Sequence, residues 1–136
     1  MARASKLIEP ILTLLAGSTR HAWSLEDIRQ DLRTRDLTPD FSSIFRVVEQ
    51  LVAQGRVNRI HLADAPPRFE LSGAHHDHLH CTLCDLLVPV PCLAPHNLAD
   101  QAAQAQGFAL HAHNIVLDGV CPHCQLQRQP RPELPA

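Results

Sequence analysis

Two Cys-x-x-Cys pairs, Cys81-Thr-Leu-Cys84 and Cys121-Pro-His-Cys124, frame residues 85–120 of a 136-residue chain. Few patterns constrain a fold more. Four thiolates on two tight turns can close on one tetrahedral zinc, structural and shut to water, so the intervening segment must leave and return to a single point. The apolar run near the N-terminus is interrupted by Glu9 and Pro10, and it suits neither a secretory leader nor a spanning helix. The expected setting is the cytoplasm, away from membranes, where thiols stay reduced and paired cysteines bind metal more often than they form disulfides. The fifth cysteine, Cys92, is expected to be a buried or bystander thiol.

Directly before the first pair stands His75-His-Asp-His78. If residues 75–81 are extended, His76 and His78 point to one face and His75 and Asp77 to the other, so one strand can serve two metals. Eight of the ten histidines and all five cysteines lie beyond residue 61, where acids outnumber bases; up to that point, nine Lys and Arg stand against seven Asp and Glu. The two halves therefore have different work. His80, His111 and His123 are expected to be ordinary surface residues.

In the first half, Leu7, Ile8, Ile11, Leu12, Leu14 and Leu15 recur at helical spacing, with Gly17 and Ser18 as a stop. Ser24 and Asp27 form a capping-box pattern before a second helix that carries Ile28 and Leu32. After Asp40, a third helix places Phe41, Ile44, Phe45, Val48, Leu51 and Val52 on one side and ends at Gly55. Residues 56–62 and 68–71 are strand candidates. Three helices and a hairpin make a winged helix-turn-helix, in which the third helix enters the DNA major groove. Ser42, Ser43 and Arg46 are the polar side chains at its start. Arg29, Arg33, Arg35, Arg56 and Arg59 could meet phosphates, or they could form a solvated face of a helical domain.

Taken together, the stretches DFSSIFRVVEQLVAQGRVNRIHL, RFEL, HHDHLHCTLC and HAHNIVLDGVCPHC resemble the ferric uptake regulator superfamily of bacterial metal-dependent repressors across nearly the whole chain. The resemblance implies an α+β homodimer. Its N-terminal winged helix-turn-helix domain, residues 1–72, would be followed by a small α/β dimerisation domain, residues 73–127, carrying the four-thiolate zinc site; residues 128–136 are expected to be a disordered tail. It further implies a regulatory metal site of Glu70, His76 and His78, with His21 as a further ligand although it lies one position from the matching residue. A second site would use His75, Asp77, His113 and His96, the last standing where the family usually has Glu. Phe45 replaces a common Tyr on the recognition helix and keeps an aromatic face for a thymine methyl.

The expected function is a metal-responsive regulator, a repressor of metal homeostasis genes, that binds double-stranded operator DNA and has no small-molecule substrate. Imidazole and carboxylate without thiolate at the regulatory site suit Fe(II), Mn(II) and Zn(II). Iron or manganese is favoured, with zinc-uptake regulation as the alternative. From other classes, a zinc enzyme such as a deaminase would need a His-x-Glu and an open coordination position, and the chain has no such motif. A zinc-ribbon adaptor would not need the winged-helix pattern.

Overall fold

The computed structural model describes residues 2–17, 20–94 and 96–127, and divides into two compact units, the first ending at Ala74 and the second beginning at His75. Ser18 and the tail expected to be disordered lie outside the described residues.

In the first unit, α1 (Ala2–Leu15), α2 (Leu25–Thr34) and α3 (Phe41–Ala53) precede an antiparallel hairpin of β1 (Val57–Ile60) and β2 (Arg68–Leu71). The helix starts follow local rules. Ser24 accepts from the Asp27 amide while Asp27 accepts from that of Ser24, and the Asp40 carboxylate accepts from the Ser43 amide at 2.8 Å. α3 ends in a Schellman turn, with Gly55 at φ 72°, its amide on Val52 O and the Arg56 amide on Leu51 O. That left-handed position suits glycine because L side chains rarely adopt a positive φ, although a Cβ here would meet open space.

Leu7, Ile11 and Leu14 of α1, Ile28 and Leu32 of α2, and Ile44, Val47, Val48 and Leu51 of α3 bury one apolar face each around Trp23 and Phe69. Each such side chain contributes about 1.5–3 kcal/mol. The inward face of α3 differs from expectation: Val47 is buried, whereas Phe41 and Phe45 are 44% and 48% exposed. Ile44, Val48 and Leu51 define the seam, and both aromatic residues sit to one side of it. A second departure lies outside the helices. Trp23 and Phe69 exchange backbone hydrogen bonds of 2.9 and 2.8 Å, so the segment before α2 runs alongside β2.

The second unit contains β3 (Asp77–Cys81), β4 (Leu87–Val90), α4 (His96–Ala105), β5 (Val116–Gly119) and the short α5 (Pro122–Gln127). Its sheet has the order β4-β3-β5, with β3 antiparallel to β4 and parallel to β5. A parallel neighbour requires a crossover, which the segment containing α4 supplies. β3 is thus the central strand, and most of its residues are buried. Leu79, Val88 and Leu117 lie in register across the three strands and remain 44%, 37% and 48% exposed. Among the described residues, no helix is long and apolar enough to cross a membrane.

Candidate metal centres

The end of β3 and the start of α5 bring the two cysteine pairs together. After Cys81 the chain turns through Thr82, Leu83 and Cys84, and Asp85, at φ 62°, adopts the left-handed conformation that closes the turn, its amide donating to Cys81 O at 2.9 Å. The Thr82 amide donates to Gly119 O and the Cys121 amide to Cys81 Sγ at 3.3 Å, which ties the first pair to the second. The four sulfurs lie within 4.8 Å of one another, with Cys84 Sγ 3.7 Å from Cys121 Sγ. Sulfurs at zinc's usual bond length of about 2.3 Å would be about 3.8 Å apart at tetrahedral angles. The set fits such an ion. Amide donation from Cys121 and Cys84 lowers the Cys81 thiol to about 6. At Cys124, hydrogen bonding to the Cys121 sulfur, with burial and the other cysteines, pushes the thiol up to about 12. Four thiolates crowded together repel, and a divalent cation is what relieves that repulsion.

His80 is not the surface residue expected. It is buried, with Nδ1 2.9 Å from Asp118 Oδ1 and Nε2 3.0 Å from Asp85 Oδ1, so it links β5 to the turn of the first cysteine pair. His111 and His123 are exposed.

A second cluster forms around Asp77, whose side chain is 0% exposed. Its Oδ2 accepts from the Leu93 amide at 2.7 Å and its Oδ1 from the Ile115 amide at 3.1 Å. Burial opposes ionisation, but these two amides, with His75 and His113, outweigh it and hold the carboxyl below its ordinary value. The same bonds draw in the segments that carry Cys92 and His113. His75 Nε2 lies 2.9 Å from His113 Nε2 and 3.6 Å from Asp77 Oδ1, His113 Nε2 lies 3.7 Å from Asp77 Oδ2, and Cys92 Sγ lies 3.3 Å from His113 Nε2. Three residues expected at a second site are therefore together. The fourth member of the cluster is the half-buried Cys92, expected from the sequence to be a buried or bystander thiol. His96 begins α4, and its side chain lies outside those described.

The residues expected at the regulatory site form two pairs. Within the first unit, His21 Nε2 lies 2.7 Å from Glu70 Oε2; a carboxylate as buried as Glu70 needs such a partner, and the pairing of Trp23 with Phe69 brings the His21 segment to β2. Within the second unit, the rings of His76 and His78 meet edge to face with centroids 4.7 Å apart.

At the start of α3, Ser42, Phe45 and Arg46 are exposed, while Ser43 is half-buried and its amide is committed to the Asp40 cap. Three of the arginines named as phosphate contacts are paired with acids: Arg29 with Glu26, Arg35 with Asp31 and Arg59 with Glu49. Among the described residues, no ion pair engages Arg33, Arg46 or Arg56.

Comparison with known proteins gives a consistent result. The profile of the group described as the ferric uptake regulator family matches residues 2–118. The ferric uptake regulation protein of Bordetella parapertussis is 30% identical over 119 residues, spanning 87% of this chain and 86% of that protein. The solved ferric uptake regulator of Vibrio cholerae is 27% identical with a TM-score of 0.71, covering 82% of this chain and 86% of its own. That of Helicobacter pylori, at 22% identity, shares the fold with a TM-score of 0.75 over 88% of this chain and 80% of its own.

Proposed function

Because the chain belongs to the ferric uptake regulator family, we propose that it is a cytoplasmic repressor that binds double-stranded operator DNA as a metal-loaded homodimer. The family comprises metal-responsive transcription regulators rather than enzymes, and this chain is one of them. The observation that carries the finer reading is the gathering, within the second unit, of Cys81, Cys84, Cys121 and Cys124 into one cluster and of His75, Asp77 and His113 into another. The four cysteines would hold structural zinc. Glu70, His76 and His78, with His21, would hold the regulatory ion; imidazole and carboxylate suit Fe(II), Mn(II) and Zn(II), and we favour Fe(II) or Mn(II), with zinc as the alternative. His75, Asp77 and His113 would belong to a second centre, for which the sequence resemblance implies His96 as the fourth ligand, at a position where the family usually has Glu.

DNA contact is assigned to Ser42, Ser43, Phe45 and Arg46 at the start of α3, where a recognition helix meets base edges. Dimerisation is supported by the apolar row of Leu79, Val88 and Leu117, which its own unit leaves exposed. Regulation needs only that the ion bind more tightly to the DNA-competent state, and operator DNA must then tighten metal binding by the same factor.

The test is DNA binding titrated with Fe(II), Mn(II) and Zn(II) in turn. His78→Ala should lose metal-dependent binding while keeping the four-thiolate zinc and the dimer, and His113→Ala should lose less. A His78→Ala protein that responds fully beside an unresponsive His113→Ala protein would mean that the two sites have exchanged roles.

A further inference from the structure

Cys92 stands alone in the sequence, between the two cysteine pairs and belonging to neither. It reaches the second cluster because its neighbour Leu93 donates to Asp77 Oδ2, and because Ile115, two residues beyond His113, donates to Asp77 Oδ1. One buried carboxylate therefore holds both segments against His75. Each of its oxygens keeps a second lone pair, so accepting those amides leaves it able to ligate. A metal-binding carboxylate fixed by backbone donors is the usual form of outer support for such a site.

The spacing of the cluster has a definite chemical meaning. Two imidazole Nε2 atoms, a carboxylate and a thiol lie within 4.8 Å of one another, with closest separations of 2.9 to 3.7 Å. Donors at zinc bond lengths of about 2.0–2.3 Å from a common centre would stand about 3.3–3.7 Å apart; the separations of 3.3, 3.6 and 3.7 Å fall in that range, whereas His75 and His113, at the hydrogen-bond distance of 2.9 Å, would draw apart by roughly 0.4 Å on binding an ion. The Cys92 thiol donates to Ala94 O at 3.0 Å within its own loop, a bond the sulfur gives up when it loses its proton to ligate a metal.

We propose that Cys92 is the fourth ligand of the second centre, making it a two-histidine, one-aspartate, one-cysteinate site that takes zinc in preference to Fe(II) or Mn(II). The proposal rests on the reading of His75, Asp77 and His113 as a metal centre and departs from it at the place that the sequence resemblance gives to His96. The reason is ligand softness: a thiolate favours zinc, whereas oxygen and imidazole sets accommodate manganese and iron. The regulatory set contains no thiolate, so one chain can sort two kinds of metal between two centres.

The experiment uses the full-length dimer as isolated, with its four-thiolate site occupied, and titrates Co(II) as a spectroscopic probe. Thiolate ligation adds a sulfur-to-cobalt charge-transfer band that nitrogen and oxygen ligands do not give. The wild type and His96→Ala should both gain this band. Cys92→Ser should lack it, and its zinc affinity at the second centre should fall by more than the roughly 10- to 100-fold that outer-shell partners contribute. Its Mn(II) affinity should change little. In the unmutated protein, zinc should protect Cys92 from iodoacetamide, and His113→Ala should remove the protection. A band that persists in Cys92→Ser, or equal alkylation with and without zinc, would overturn the role of Cys92 while leaving the second centre standing. A wild type that binds no metal through His75 and His113 would overturn the centre as well.

Discussion

Replacing Asp77 with Asn tests whether this carboxylate builds the second unit as well as serving its cluster. The native side chain is fully buried and accepts two backbone amides, at 2.7 Å from Leu93 and 3.1 Å from Ile115. Asn keeps one acceptor, so one amide must face the new NH2 group. A buried donor left unsatisfied costs about 1–3 kcal/mol, which corresponds to a roughly 5- to 150-fold faster opening of that amide. Asp77→Ala abandons both and should cost about twice as much, close to the ~3–8 kcal/mol that holds a unit of this length together. The assay is hydrogen exchange at Leu93 and Ile115, with denaturation followed by far-UV circular dichroism. His75→Ala is the control, because it removes a ligand and leaves both amides paired. Because the folded carboxyl lies below its ordinary 3.8, its stabilisation is complete above that pH and disappears as pH falls through the folded value. Asp77→Asn should therefore lack this contribution to acid unfolding. Unchanged exchange at both amides, with a midpoint shift no larger than that of His75→Ala, would refute the reasoning.

Phe69→Ala empties the space against Trp23 and should cost about 3–5 kcal/mol, read by the fluorescence of Trp23, the sole tryptophan of the chain. Cys121→Ser should lower the zinc content of the purified protein by one equivalent per chain and weaken the dimer, because folding of a small zinc unit is coupled to its ion; metal analysis and sedimentation report both. Arg46→Ala should weaken operator binding with metal content and dimerisation unchanged. If the contact is to phosphate, the loss should be uniform across sequences with a salt slope lower by about one; if it is to guanine, discrimination at one base pair should fall by about 1–3 kcal/mol.

What could be read directly from the sequence is short-range. The capping residues Ser24, Asp27 and Asp40, the glycine closing α3 and the two cysteine pairs each act over a few residues, so their spacing already contains their geometry. The alternation of His75 to His78 is local in the same way: side chains of an extended segment leave on opposite faces. The tertiary structure decided the rest. Phe41 and Phe45 fit an apolar stripe by periodicity, yet only the packing of α1, α2 and β2 determines which edge of that stripe is covered. His80 looks like its neighbours until β5 and the cysteine turn deliver Asp118 and Asp85 to its two nitrogens. Cys92 is the sharpest case. A single cysteine carries no spacing, and its partners lie 15 to 21 positions away; it becomes a candidate ligand only when a buried carboxylate on the central strand gathers two distant loops through their backbone amides.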